Sequence, residues 1–369
     1  MKKRIGVLAV TVAASCAVII SGCTGCAGCN GSSRNIAALE SNWYANTHFK
    51  KIQPTFIDAN KEIITYKVTQ DLGTALNDNY SVRYSDGEYT TTFYATKFDK
   101  TKYAAEEYRD AYPDDLIVYY YKTELSIDTV TFKYGGEERV FKGDSVVTEC
   151  YFMPVENDLR PLYSSQTIKS VSPAAYKVKN VDEAYVVNDC EYKTYYSYDE
   201  KEVKYAKTVI KDGNGEREKP VVNLEKAPNT VFDISSLNVA VRANRISANL
   251  SQKVSMYAPA GNLQNYNLLG GELALGEHER PIIESELKEN KLFVPEKDGE
   301  NEKPLETVAI GVQYDGELSG VSQIYWFTKI TNPINNVGRA TMVKMSVPIT
   351  YSLGTLNYTL QEIQSTLNR

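Results

Sequence analysis

The sequence predicts a mainly β protein built from antiparallel, hairpin-rich sheets that could curve into a half-barrel, with a few short helices. Three observations lead to this prediction. Apolar and polar residues alternate along several segments, Asp-Gly and Gly-Gly pairs recur between them, and tyrosine, a good strand former, supplies 28 of 369 residues. With 42% hydrophobic and 24% charged residues, the composition is that of an ordinary water-soluble globular protein.

The first predicted strands cover residues 63–68, 80–84 and 89–94. Asp86-Gly87 separates the last two, and an Asp-Gly pair between strand-like runs is a strong hairpin signal because both residues tolerate positive φ. Similar pairs predict further hairpins at Gly135-Gly136, Asp212-Gly213, Asp298-Gly299 and Asp315-Gly316. Repeated hairpins favour an antiparallel meander over alternating βαβ units.

Two segments show the period of two most clearly. Residues 117–127 place Tyr119 and Tyr121 on an apolar face and Tyr120 on the opposite one. Residues 342–351 alternate in the same way, which predicts half-buried strands with one wet face. Pro348 falls on the predicted wet face of the second strand and indicates an edge position or a bend.

Helical signals are few and short. Residues 101–112 are helix-prone and end before Pro113, and residues 235–244 place apolar side chains on one side. Mixed charges, glycines and prolines at 211–229 predict a linker between two β-rich units, residues 36–210 and 230–369.

The N-terminus has the pattern of a secretory signal, with basic residues at positions 2–4 followed by an apolar stretch to residue 20. The stretch ends in Ile20-Ser21-Gly22-Cys23, which resembles the lipobox of bacterial lipoproteins. The resemblance implies removal of residues 1–22, a lipid on Cys23, and anchoring on the outer face of the bacterial cytoplasmic membrane. Residues 23–35 are rich in small residues and predict a flexible tether. The alternative is an ordinary secretory signal that is cleaved nearby.

The charge of the chain limits its partners. The formal net charge is −6, and removing the three basic residues at positions 2–4 with the signal leaves −9. An acidic protein is a poor partner for nucleic acid or for an anionic lipid surface, so we expect membrane contact only through the anchor.

Catalytic motifs are incomplete. Gly143-Asp144-Ser145 resembles the opening of the catalytic block of the SGNH esterases, but the Asp-x-x-His that this family needs does not surround His278. Ser145 is therefore interpreted as a strand residue. The only other histidine, His48, is remote in sequence, and neither has a partner at metal-ligand spacing. We predict no cofactor, no metal site and no enzymatic activity.

Cys150 and Cys190 are the two cysteines in the body of the chain. Outside the cytoplasm they could form a disulfide if their strands were neighbours. The alternative is two buried thiols that pack as small apolar groups.

The excess of tyrosine has two interpretations. Clustered rings could form a ligand platform on which sugars or peptides stack, and the candidates are Tyr120, Tyr192, Tyr196 and Tyr198. Alternatively, tyrosine is a strand residue that tolerates a half-wet face.

These observations together predict a membrane-anchored binding or envelope-structural module without enzymatic activity. Its ligand would be a glycan, an amphiphile or a protein. Two alternatives remain open at this stage: a lipid or amphiphile carrier with an incomplete barrel, and a divergent glycan hydrolase that relies on Asp and Glu alone.

Overall fold

A computed structural model of the chain describes residues 58, 61–73, 80–155, 158–174, 178–199, 202–225, 227, 229, 231–243, 248–259, 262–271, 293–295, 302–304, 307–315, 321–328 and 341–365. The helices are α1 (Lys100–Tyr103) and α2 (Leu237–Ala243), and short 3₁₀ turns cover Glu106–Ala111, Val181–Glu183, Ile234–Ser236 and Thr350–Ser352. The strands are β1 (Glu62–Leu72), β2 (Tyr80–Tyr84), β3 (Gly87–Lys97), β4 (Ile117–Tyr134), β5 (Glu137–Val155), β6 (Asp158–Pro173), β7 (Tyr185–Asp199), β8 (Glu202–Asp212), β9 (Gly215–Glu218), β10 (Val222–Asn223), β11 (Val231–Asp233), β12 (Ser251–Ala258), β13 (Asn262–Gly270), β14 (Phe293–Pro295), β15 (Glu302–Pro304), β16 (Thr307–Tyr314), β17 (Val321–Thr328), β18 (Met342–Ile349) and β19 (Gly354–Ser365).

The predicted mainly β, antiparallel fold is confirmed. Seventeen strands hydrogen-bond into one sheet, and β14 and β15 form a separate antiparallel pair. Along the sheet, strands follow one another in the order β11, β12, β13, β16, β17, β18, β19, β1, β3, β4, β5, β6, β7, β8 and β9. β2 continues the line of β3 along β4, and β10 continues that of β9 along β8. The pairing of β11 with β12 is parallel.

The sheet is open and curved. Tyr257 of β12 hydrogen-bonds to Thr208 of β8 at 2.8 Å, although these strands lie near opposite ends of the strand order. α2 packs against one side of this sheet, where Asn238 donates to the hydroxyls of Tyr89 of β3 and Tyr121 of β4. One large cluster of buried side chains joins α2 to strands from both halves of the sheet. We call the side that faces α2 the concave face and the opposite side the outer face.

Hydrogen bonding continues across the predicted division of the chain. β1 pairs with β19 along its whole length, from Glu62 opposite Ser365 to Leu72 opposite Gly354. The segment 211–229, predicted as a linker, carries the turn between β8 and β9 and all of β10. Two separate units at 36–210 and 230–369 therefore stay a prediction, while the described strands on both sides share one sheet.

Two predicted hairpins are confirmed. Gly135 and Gly136 connect β4 to β5 with φ of 57° and 90°, the left-handed conformation that such a turn requires. Asp212 pairs with Gly215 at the β8–β9 turn. Of the remaining pairs, Asp298-Gly299 and Gly316 lie outside the described residues, although the strands that flank them, β14 with β15 and β16 with β17, pair antiparallel.

The hairpin predicted at Asp86-Gly87 is wrong. The strands on either side exist, but they do not pair with each other, because β2 and β3 both pair with β4. Gly87 lies opposite Ile127, and a Cβ at this position would come within 2.5 Å of the Ser126 carbonyl oxygen. The glycine is thus needed for a close backbone approach rather than for a reversing turn.

The strand faces that were predicted to be solvent-exposed are partly buried. On β4, Tyr119 and Tyr121 are buried on the concave face as expected, but Tyr120 is also buried, because a loop covers the outer face there. On β18, Lys344 is buried with its ammonium group 5.2 Å from the Trp326 ring, and Met342 and Ser346 are buried too. Pro348 is exposed beyond the last residue that pairs with β17, as an edge position requires.

Both predicted helical segments are present and short. Residues 101–112 form α1 and a 3₁₀ turn, separated by extended backbone at Ala104 and Ala105. Residues 235–244 correspond to α2 and the 3₁₀ turn before it. None of the helices in the described residues is long and apolar enough to cross a membrane. The predicted signal, the tether and Cys23 lie outside the described residues.

Candidate functional site

Five tyrosines form a row across the outer face of the sheet. Each lies directly opposite the next on adjacent strands from β3 to β7: Tyr94, Tyr120, Tyr151, Tyr163 and Tyr195. Consecutive ring centroids are 5.0, 4.9, 6.2 and 5.3 Å apart. With a strand spacing of about 4.8 Å, the row is about 19 Å long. We call it the tyrosine ladder.

The loop between β3 and β4, residues 98–116, folds over the middle of the ladder, and we call it the strap. Its base is closed by Phe98, which donates its N–H to the Leu116 carbonyl at 2.8 Å. Tyr103 of the strap lies 4.4 Å from the Tyr151 ring and 5.0 Å from the Tyr163 ring. The strap therefore buries the three central rings and leaves the two end rings half-buried.

Polar side chains follow the ladder on the same face. The next row in register consists of Thr92, Lys122, Glu149, Ser165 and Lys193. Glu149 accepts hydrogen bonds from the Tyr120 hydroxyl at 2.7 Å and from the Ser165 hydroxyl at 3.4 Å. Burial and the neighbouring Glu149 raise the pKa of Tyr120, so its hydroxyl stays protonated at neutral pH.

The two ends of the ladder are the parts that a ligand can reach. At one end the Lys61 ammonium group lies 4.5 Å above the Tyr94 ring, and at the other end Tyr195 is half-buried beside Tyr163. Half-buried rings beside hydroxyl, carboxylate and ammonium groups can stack on the apolar face of a sugar and hydrogen-bond to its hydroxyls.

The platform predicted from sequence is corrected by this geometry. Of its four tyrosines only Tyr120 belongs to the ladder, and it is 7% exposed. Tyr192 and Tyr196 are 2% and 1% exposed and pack with other buried clusters, while Tyr198 is half-buried and donates its hydroxyl to the Pro161 carbonyl. The four rings therefore do not form one exposed surface. The other ladder members were missed because their alignment depends on strand register.

A second cluster of polar groups lies on the concave face, around a cavity of about 20 Å³. Its lining combines polar and apolar residues from α2 and five strands: Glu62, Ile64, Tyr66, Thr91, Phe93, Tyr121, Asn238, Val239, Arg242, Phe327 and Met342. Arg242 donates to both carboxylate oxygens of Glu62, at 2.5 and 3.2 Å. The Glu62 side chain is 2% exposed, so this is a buried ion pair.

Asn238 extends the polar side of the cavity. Its Nδ2 donates to the hydroxyls of Tyr89 at 2.9 Å and Tyr121 at 3.0 Å. Its Oδ1 is buried and has no hydrogen-bond partner within the described part of the chain. On the other side, the Tyr66 hydroxyl donates to the Met342 carbonyl at 3.1 Å. This cluster was not predicted from the sequence, because Glu62 and Arg242 are 180 residues apart.

Two further carboxylates are buried, and Asp233 has a structural role. It accepts from the Ser235 backbone N–H at 2.6 Å, from the Ser164 hydroxyl at 2.5 Å and from the Tyr196 hydroxyl. Burial raises its pKa. Because Asp233 caps the turn that leads into α2, these bonds fix the start of the helix to β6 and β7.

Asp144 lies on β5 beside Ser145. Its carboxylate accepts from the Val171 backbone N–H at 2.6 Å, while Oδ2 is buried without a partner among the described residues. Burial raises the pKa of Asp144 to about 7. Ser145 lies within β5 opposite Ser126 and Lys169, in agreement with its interpretation as a strand residue.

The disulfide considered from sequence does not form, and Cys150 and Cys190 are both buried thiols. Cys150 lies on β5 and Cys190 on β7, and β6 runs between them. Two strand spacings of about 4.8 Å exceed the roughly 7 Å that a disulfide can span between Cα atoms. The alternative of two buried thiols describes them correctly.

Both histidines lie outside the described residues. Within those that are described, three or more His, Cys, Asp or Glu side chains do not come together as a metal site. Comparison of the chain with family models, with curated proteins and with solved structures gave no match.

Proposed function

We propose that this chain is a lipid-anchored extracytoplasmic binding protein without enzymatic activity, and that it holds a glycan of the cell envelope at the ends of the tyrosine ladder. The observation that carries the proposal is the pair of half-buried rings, Tyr94 and Tyr195, that strand register places at the two ends of the ladder. Each ring can stack on the apolar face of one sugar unit, and the polar row beside the ladder can hydrogen-bond to its hydroxyls.

Anchoring is proposed from the lipobox-like sequence that ends at Cys23. Several acyl chains on this residue, at about 0.8 kcal/mol per buried CH₂, would hold the protein stably on the membrane. The tether at 23–35 would then separate the folded body from the lipid surface. A binding face tethered to the outer side of the membrane would be close to wall or surface polysaccharide.

The test uses the full-length Cys23→Ala chain, which we expect to lose palmitate incorporation and to be released in soluble form. We expect it to bind purified cell-envelope polysaccharide, measured by sedimentation with the insoluble glycan. Tyr94→Ala and Tyr195→Ala should each weaken binding about tenfold, because one aromatic stacking contact contributes on the order of 1 kcal/mol or more.

Tyr314→Ala is the matched control. Tyr314 is 38% exposed on β16, away from the ladder, and its loss should leave glycan binding unchanged. Binding that survives both ladder substitutions, or that Tyr314→Ala weakens equally, would contradict the proposed surface. Continued palmitate labelling of the Cys23→Ala chain would contradict the anchor, and release of sugar fragments at enzyme-like rates would contradict the non-enzymatic role.

A further inference from the structure

We infer that a cluster of buried side-chain oxygens on the concave face binds one alkali-metal cation, Na⁺ or K⁺. The oxygens, which we call the oxygen cluster, are Asp144 Oδ2, Ser170 Oγ, Asn188 Oδ1 and the hydroxyls of Tyr84 and Tyr358. Each is buried and has no hydrogen-bond partner among the described residues. The sequence predicted no metal site, because only strand pairing brings these residues together. The cluster lies on the opposite side of the sheet from the tyrosine ladder, so the inference does not depend on the glycan proposal.

Three members of the oxygen cluster lie side by side on adjacent strands. The last paired residues of β5 and β6 are Ser145 and Lys169, and Asp144 and Ser170 take the next position on each strand. Ser170 lies opposite Asn188 of β7. Because neighbouring strands are about 4.8 Å apart, Asp144 and Asn188 flank Ser170 on its two sides. Their unpaired oxygens can therefore face a single ion.

Hydrogen bonds orient two of these side chains. Asp144 Oδ1 accepts from the Val171 backbone N–H at 2.6 Å, which leaves Oδ2 for the ion. Asn188 Nδ2 donates to the Ser172 hydroxyl at 3.1 Å, which fixes the amide and leaves its Oδ1 unpaired. Asp144 and Asn188 are each 4% exposed, so neither unpaired oxygen is compensated by bulk water.

Two tyrosine hydroxyls approach the carboxylate from other strands. Tyr84 lies on β2 and Tyr358 on β19, and both are buried. Burial and, after it, the charge of Asp144 raise the pKa of both phenols. The two hydroxyls therefore lie near the carboxylate and stay protonated at neutral pH, as neutral oxygen ligands.

Charge favours a cation over a water molecule at this place. Burial and the Val171 N–H set the pKa of Asp144, and no lysine or arginine of the described residues contributes to it. An ionised carboxylate without a counter-charge is strongly unfavourable in the interior, and a water molecule leaves that charge uncompensated. One carboxylate among neutral oxygens balances a single positive charge, whereas a divalent ion would leave a buried excess. Hard cations prefer such oxygen ligands.

The test measures urea unfolding of the full-length Cys23→Ala chain at pH 8 in sodium, potassium or choline chloride. All salts are used at about 100 mM, so that surface charges are screened equally. Choline is too large to enter between packed side chains, and in choline the ionised Asp144 has no counter-ion. We expect an unfolding equilibrium constant about tenfold smaller in sodium or potassium than in choline, with an effect that saturates as the salt concentration rises.

Asp144→Asn should abolish the difference between choline and the alkali ions, because it keeps the shape of the side chain and removes the charge. Asp212→Asn is the matched control, since it removes a carboxylate of the β8–β9 hairpin and should keep the difference. Tyr358→Phe removes one neutral ligand and should weaken the cation effect. It also supplies a second variant if Asp144→Asn does not fold.

Three results would overturn the inference. Equal stability of the otherwise native chain in choline and in both alkali chlorides would mean that the oxygen cluster holds water alone. A cation effect that survives in Asp144→Asn would place the ion elsewhere. Stronger stabilisation by calcium than by sodium or potassium at equal ionic strength would contradict a monovalent site.

Discussion

The two faces of the sheet use tyrosine in different ways. On the concave face, Tyr66 and Tyr89 are 1% and 0% exposed, and their hydroxyls bond to Met342 and Asn238 inside the protein. On the outer face, Tyr94 and Tyr195 at the ends of the ladder are half-buried and can bond to water. A protein partner stabilises a buried hydroxyl, whereas a half-buried hydroxyl can bond to water instead. The outer face can therefore present tyrosine rings to a ligand.

Ion pairs in the interior and at the surface also differ in how far solvent reaches them. Glu62 and Arg242 are bidentate and buried. Asp212 and Arg217, in the hairpin of β8 and β9, are also bidentate, with both distances 2.7 Å, but the Arg217 side chain is 48% exposed. Geometry is thus similar in the two pairs, and solvent access is the variable that separates them.

Arg242→Ala should give the largest effect. It removes the guanidinium that donates to both oxygens of the buried Glu62 carboxylate, and we expect the free energy of unfolding to fall by about 3 kcal/mol in urea titrations. Arg217→Ala is the control and should lower the free energy of unfolding much less, because water can reach the 18% exposed Asp212 side chain. Equal effects of the two substitutions would show that burial does not separate the two ion pairs.

The raised pKa of the buried Asp144 carboxyl predicts that the stability of the protein depends on pH. Its pKa is about 7 in the folded protein against 3.8 for the ordinary carboxyl, so the folded state binds more protons between these values. Stability is therefore lost as pH rises from 4 to 7, by at most about 4 kcal/mol for this group. Asp144→Asn should remove that part of the slope and be more stable than the native chain at pH 8.

The matched surface control for this prediction is Asp212→Asn. Arg217 beside Asp212 lowers the pKa of that carboxyl to about 2, the opposite direction. Losing this carboxylate should not flatten the slope between pH 4 and pH 7. Urea titrations at several pH values measure both variants, and a native chain whose stability rises over this interval relative to Asp144→Asn would refute the assignment.

Strands were predictable from local pattern, but their partners were not. Alternation and turn residues located β3, β4 and β18 in the sequence, because these signals act over a few residues. The pairing of β1 with β19 joins segments almost 300 residues apart, and the placement of β2 and β3 along the same strand contradicts a local turn signal. Only the three-dimensional arrangement decides which strands become neighbours.

The candidate site, like the fold, was predicted from sequence only in part. Tyr120, one of the four tyrosines of the predicted platform, belongs to the ladder, and the other three do not. Which other tyrosines join Tyr120 depends on strand register, because a slip of one residue would move every side chain of a strand to the opposite face. The cavity residues Glu62, Asn238 and Arg242 come from β1 and α2, and nothing in their local sequence marks them as partners.

The smallest effect concerns single tyrosine hydroxyls. Tyr66→Phe removes a buried hydrogen bond of 3.1 Å to the Met342 carbonyl, and we expect a loss of about 1 kcal/mol in the free energy of unfolding. Tyr195→Phe removes a hydroxyl at the half-buried end of the ladder and should change stability by less than about 0.5 kcal/mol. Both variants keep the ring, so urea titrations isolate the hydroxyl on each face. A larger loss for Tyr195→Phe than for Tyr66→Phe would mean that the ladder end is held by its hydroxyl and is not free to bond to a ligand.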